Sequence, residues 1–141
     1  MLYYEELTSN QLAFFLEKIW NDIGSQELPI KPPPLIFSEA SKPHDYYYFS
    51  GGARKNRKWS DKEFLHRAHD AVRLQPIYKR PFYYMMAYVY YYSLKKLGKI
   101  SWEKYPAPAK DWKEFIERVR AFYKRDTPTI PDWLVGAENI I

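Results

Sequence analysis

The sequence predicts an all-α, bundle-like domain with an extended proline-rich N-terminal arm and a C-terminal tail. Three observations carry this. Apolar residues recur at helical spacing in several long segments, capping residues bracket those segments, and most of the eleven prolines fall between them. The first helix is expected over Ser9–Ile23. Thr8 and Gln11 match a capping box and Gly24 is placed to end the helix. Leu12, Phe15, Leu16, Ile19 and Ile23 form its apolar stripe, with Trp20 on the flank.

Residues 26–50 break the helical pattern. Pro29, Pro32, Pro33 and Pro34 each fix φ and remove a donor, which predicts an extended path. Leu35, Ile36 and Phe37 follow as a short extended segment, and Pro43 leads into Tyr46, Tyr47, Tyr48 and Phe49 before the Gly51-Gly52 hinge. The segment reads as an arm reaching across a nucleic acid or an adjacent subunit. Leu35, Ile36, Phe37, Tyr46, Tyr47 and Tyr48 are its candidate interface residues.

A basic run, Arg54, Lys55, Arg57 and Lys58, comes next. Ser60 and Glu63 form an S-x-x-E capping box, which predicts a helix from about Asp61 to about Leu74, ahead of Pro76. At roughly 100° per residue, Lys62, His66, His69 and Arg73 share one narrow stripe. Phe64, Leu65, Ala68, Ala71 and Val72 fall opposite, where a core belongs.

The third helix is expected over Pro81–Leu97, with Lys95 and Lys96 in its last turn and Gly98 closing it. Its segment PFYYMMAYVYYYSL is apolar or aromatic on every side, as suits a helix that is central or shared between subunits. Phe82–Tyr92 is well short of the ~20 residues that span a bilayer. The aromatic and β-branched content also permits a strand. The last helix, from about Ala109 to Lys124, has the cleanest stripe: Trp112, Phe115, Ile116, Val119, Phe122 and Tyr123. Glu114 and Arg118 can pair on its surface, and Lys113, Arg120 and Lys124 gather on one flank. In the tail, Trp133 and Leu134 are expected to anchor on a neighbouring copy. The chain divides into an N-terminal helix and arm (1–52) and a helical core (53–141), expected to act as one cooperative unit.

Composition narrows the function. Aromatic residues make up 19% of the chain, including fourteen Tyr, and such side chains suit assemblies as well as cores. Cysteine is absent, which excludes disulfides, thiolate zinc sites and cysteine nucleophiles. Frequent Pro and plentiful Lys, Arg and Glu are compatible with a hot environment. The N-terminus lacks the basic-then-apolar order of a signal peptide, so an intracellular or virion protein is expected. Net charge is +5 but uneven: residues 1–52 hold three basic and seven acidic groups, residues 53–82 nine and three. A basic middle attracts a polyanion, and an acidic end can dock on the basic surface of another copy.

No residue constellation supports an enzyme or a cofactor. His66 and His69 lie three apart, but Asp70 points about 80° off their stripe, which favours phosphate-facing or solvent-facing histidines over a metal site. Gly51-Gly52 lacks the lysine and serine order of a phosphate-binding loop. The long cationic strip best fits a double-stranded nucleic-acid backbone, with Lys79, Arg80, Lys113, Arg120 and Lys124 as further contacts. An ordinary solvated charged face is the plain alternative.

The arm LPIKPPPLIF, the basic segment ARKNRKWSDKEFLHRAHDAVR and the helix PFYYMMAYVYYYSLKKLG together resemble, in layout and composition, the major capsid proteins of filamentous and rod-shaped archaeal DNA viruses. The resemblance implies a helical nucleocapsid in which capsid dimers, of one chain or of two paralogous chains, wrap double-stranded DNA in the A form. It also implies that some such filaments carry a lipid envelope, and a virion location after assembly in the host cytoplasm. No residue role is carried over from it. Two other readings stand beside it: a small dimeric helix-turn-helix regulator, and a virus-encoded protein-interaction module. The regulator is disfavoured by the scarcity of Asn, Gln and Ser on the second helix's cationic face.

Overall fold

The computed structural model describes residues 1–20, 35–98, 102, 105–126 and 129–141. The fold is all-α, with no strand among the described residues. Helix α1 begins at Ser9 as expected. Thr8 Oγ1 accepts from the Gln11 amide at 3.2 Å and Gln11 Oε1 accepts from the Thr8 amide at 3.1 Å. The α-helical part, Ser9–Phe14, continues as a π-helix over Phe15–Trp20, with Phe15 and Ile19 buried. The expected end at Ile23 and Gly24, and the arm prolines Pro29, Pro32, Pro33 and Pro34, lie outside the described residues.

The second half of the expected arm is not extended. Leu35–Phe37 forms a 3₁₀ turn and Ser38–Ser50 forms α2, with Pro43 inside it. Tyr46, Tyr47, Tyr48 and Phe49 are buried in this chain's own interior, as is Phe37, and Ile36 packs against the cluster that holds Phe37. The physical reason is backbone accounting. Burying four consecutive large aromatics takes their amides and carbonyls out of water, and a helix satisfies these groups internally. Pro43 removes only one donor from that ladder.

Helix α3 spans Arg54–Arg73, seven residues longer at its start than the capping box predicts. Ser60 lies buried inside it, with its Oγ unpartnered among the described residues. The true start follows Gly51 and Gly52, whose φ values of 73° and 123° make the tight reversal from α2. There Asn56 Oδ1 accepts from the Ala53 amide at 3.1 Å. A local S-x-x-E preference loses to a basic run that contains no helix breaker.

Helix α4 (Arg80–Leu97) follows a 3₁₀ turn at Ile77–Lys79. Only Ala87 and Leu94 are fully buried, and the opposite side is open. Gly98 ends it in right-handed geometry (φ −62°, ψ −24°), not the left-handed form usual for a closing glycine. Glycine is required there because a Cβ would collide with the Tyr48 hydroxyl. Helix α5 (Trp112–Asp126) starts three residues later than expected, where Asp111 Oδ1 accepts from the Glu114 amide at 2.8 Å as the cap, while the Ala109 amide is held by Ser50 O and Ser50 Oγ, each at 3.2 Å. Its stripe of Trp112, Phe115, Ile116 and Val119 is buried as the spacing predicts.

The tail folds back on its own chain rather than onto a neighbour. Leu134 is fully buried, and the Trp133 ring sits 5.8 Å from both Phe14 and Tyr123. Arg120 holds the tail by donating to Leu134 O at 3.0 Å and pairing with Glu138. Two apolar clusters result. The first joins α1, α2, α5 and the tail; the second joins Phe37 and Ala40 to α3 and α4. Residues from both sides of the Gly51-Gly52 hinge therefore build the first core.

A buried polar link ties α2 to α3. Asp61 Oδ1 accepts from Tyr48 Oη and pairs with His44 Nε2, both at 2.9 Å. His44 Nδ1 lies 3.6 Å from Asp45 Oδ1, and the Trp20 indole donates to Asp45 Oδ2 at 3.0 Å. Burial opposes a charge on His44, but the hydrogen bonds and charges of Asp45 and Asp61 outweigh it and raise the imidazole above its ordinary value. Burial also pushes the Asp45 carboxyl up, so both groups hold protons more firmly folded than unfolded.

Two outcomes follow. The His44 contribution is complete below the unfolded value of about 6.5 and is lost as pH rises through the higher folded value. The melting temperature should therefore fall as pH is raised from about 6 to about 9, and His44→Gln should flatten that slope while costing about 3–5 kcal/mol at the acid end. Gly98→Ala should lower stability by about 1–3 kcal/mol in chemical denaturation. In a Tyr48→Phe background, which lacks the colliding oxygen, the additional cost of Gly98→Ala should be smaller than in the wild-type chain.

Candidate nucleic-acid interface

Asp61, Phe64, Ala68 and Val72 fix which way α3 faces, because all four are buried. The side turned away from them carries Lys55, Lys58, Lys62, His66 and Arg73, all exposed. Because α3 starts at Arg54, this strip is longer than the sequence implies. From Lys55 to Arg73 it runs about 27 Å at 1.5 Å per residue. Lys55, Lys58 and Lys62 make no hydrogen bond or ion pair among the described residues. Arg54 is exposed at the helix start. Arg73 pairs with Asp70 at 2.6 Å, but both side chains are mostly exposed, so the pair is weak and open to displacement by a stronger anion.

His69 departs from the expected stripe. Its ring packs edge-on against Tyr84 and Tyr88 of α4, with centroids 5.3 Å away in each case. Its Nε2 is buried without a partner among the described residues. Burial first, and then the charges of Arg73 and His66, lower its pKa, against a smaller opposing effect of Asp70. His69 is therefore a neutral packing residue at the edge of the strip rather than a phosphate donor.

Three further candidates have their donors engaged inside the molecule. Arg57 is half-buried and donates to Lys95 O at 3.4 Å, tying α3 to α4. Arg80 donates through Nε to Gln75 O and through a terminal nitrogen to Arg73 O, each at 2.9 Å, and so closes the carbonyl end of α3. Arg120 secures the tail. Lys79 is exposed with its amine 5.8 Å over the Tyr78 ring, and Lys113 and Lys124 are exposed on α5. Among the interface candidates, Phe37, Tyr46, Tyr47, Tyr48 and Leu134 are buried within the chain.

Sequence reasoning did not find the His44–Asp61–Tyr48 link, because Asp61 looked like a first-turn helix acid. It also gave no sign that Lys95 lies over Tyr91 and Tyr92, at 5.5 and 5.7 Å, at the end of α4. The described residues hold no group of three or more metal-ligating side chains, and no helix among them is long and apolar enough to cross a membrane. Comparison with protein-family models, curated proteins and solved structures finds no match to this chain.

In an NMR titration of the side chains, His69 should titrate below about 6.5. Replacing Tyr84 and Tyr88 with Ala should move it back toward that value by opening the ring to water.

Proposed function

We propose that this protein coats double-stranded DNA by sequence-independent contacts to the phosphate backbone and assembles along it as the structural subunit of a helical nucleocapsid. The observation that supports this best is the α3 strip: Lys55, Lys58, Lys62, His66 and Arg73 on one exposed face, with the lysines unpaired among the described residues. Phosphate oxygens accept from ammonium and guanidinium donors at any base sequence, so such a face binds a duplex without reading it. A base-reading regulator would place amide side chains on that face, and Asn56, the one amide in α3, is engaged at the helix start. A duplex enclosed between protein surfaces loses water, which favours the A form. Archaeal filamentous viruses are the setting that the sequence resemblance suggests. No residue in this reading performs chemistry, so the role is structural rather than enzymatic.

The test is duplex affinity against salt by fluorescence anisotropy. The logarithm of the association constant should fall linearly with log salt at a slope of about −0.9 per phosphate contact, about −3 to −5 for one strip. Lys55→Glu, Lys58→Glu and Lys62→Glu together should abolish binding at moderate salt, whereas His69→Phe should leave affinity unchanged. A flat salt response, or retained binding by the triple variant, would overturn the proposal.

A further inference from the structure

The open side of α4 carries a repeat that its own fold does not use. Phe82, Met85, Val89, Tyr92 and Lys96 are all exposed on α4, spaced three, four, three and four residues apart, and Tyr78, exposed in the turn just before the helix, lies four residues ahead of Phe82. That alternation is the seam spacing of helices that pack side by side, knobs into holes. The spacing is also palindromic about position 87. An antiparallel second copy would set Phe82 against Tyr92 and Met85 against Val89, in each direction, as an isologous two-fold contact requires. At the ends it would set the Lys96 ammonium against the Tyr78 ring, and antiparallel helices also oppose their dipoles favourably.

The area is sufficient. Phe82, Met85, Tyr88, Val89 and Tyr92 leave between 43% and 56% of their surfaces exposed, and Tyr78 leaves 80%. Together these amount to about 750 Å² of largely apolar and aromatic surface. That exceeds the ~300–600 Å² of the largest patch on an ordinary monomer and matches the ~800 Å² per partner of a standard stable interface. We propose that α4 is the homodimer interface of this protein, formed as an antiparallel α4–α4 pair about a two-fold axis near Tyr88. The proposal stands apart from duplex binding, since none of the seam residues belongs to the α3 strip.

The seam is apolar, so dimerisation should depend little on salt, unlike duplex binding. Sedimentation equilibrium of the full chain without nucleic acid should show a dimer. Val89→Glu should raise the dimer dissociation constant at least about a hundredfold by burying like charges near the axis, with helical content unchanged because the site is exposed in the monomer. Register is read by cross-linking, since the natural chain has no cysteine. Met85→Cys mixed with Val89→Cys should form a mixed disulfide faster than either variant pairs with itself. A monomeric wild-type chain at high salt, a Val89→Glu chain that still dimerises, or self-pairing faster than mixed pairing would each overturn the proposal. A monomer that floats with anionic vesicles would also overturn it, by assigning the stripe to a lipid surface.

Discussion

Asp61 sets the orientation on which the surfaces of this protein depend. A carboxylate on a helix of lysines and arginines would ordinarily face water, yet here it is buried and receives His44 and Tyr48 from α2. A buried acid of this kind is tolerated only while both partners are in place. Rotating α3 about its axis would expose the link and bury the lysines instead, so the cationic strip is held outward by the cost of breaking that link. Arg57 and Arg80 reinforce the same orientation by donating to backbone carbonyls at the two ends of the α3–α4 pair.

The cationic strip of α3 and the aromatic seam of α4 meet at the contact between His69 and Tyr88. A neutral His69 suits that border, because a charge there would have to be buried against tyrosine rings. If α4 pairs about an axis near Tyr88, the strips of two copies flank one continuous surface. Assembly and polyanion binding would then use adjoining faces of the same helix pair, and only the second would depend steeply on salt.

Much of the fold was legible in the sequence. The α5 stripe, the α1 capping box and the apolar side of α3 follow from spacing and capping alone, because each lies on a strongly amphipathic segment. Two errors share a physical origin. Pro43 and the run Tyr46–Phe49 suggest an extended arm that reaches across a partner, and Ser60 with Glu63 suggest a helix start. In both places a local signal was overridden by burial that only the assembled chain provides. Trp133 and Leu134 pack on this chain itself and not on a neighbour, since a sequence does not say whose core an apolar tail enters. At the candidate interface the exposed lysines were legible by periodicity. The engagement of Arg57, Arg80 and Arg120 was not, because their partners are backbone carbonyls brought close by the fold.

The central claim is that α3 coats a duplex without reading it. The most direct measurement is nuclease protection on long DNA of several unrelated sequences, at increasing protein ratio, with electron microscopy of the same samples. The account predicts continuous protection that spreads along every sequence and regular filaments at saturation. A discrete protected site at one sequence, or full digestion at every ratio, would contradict it.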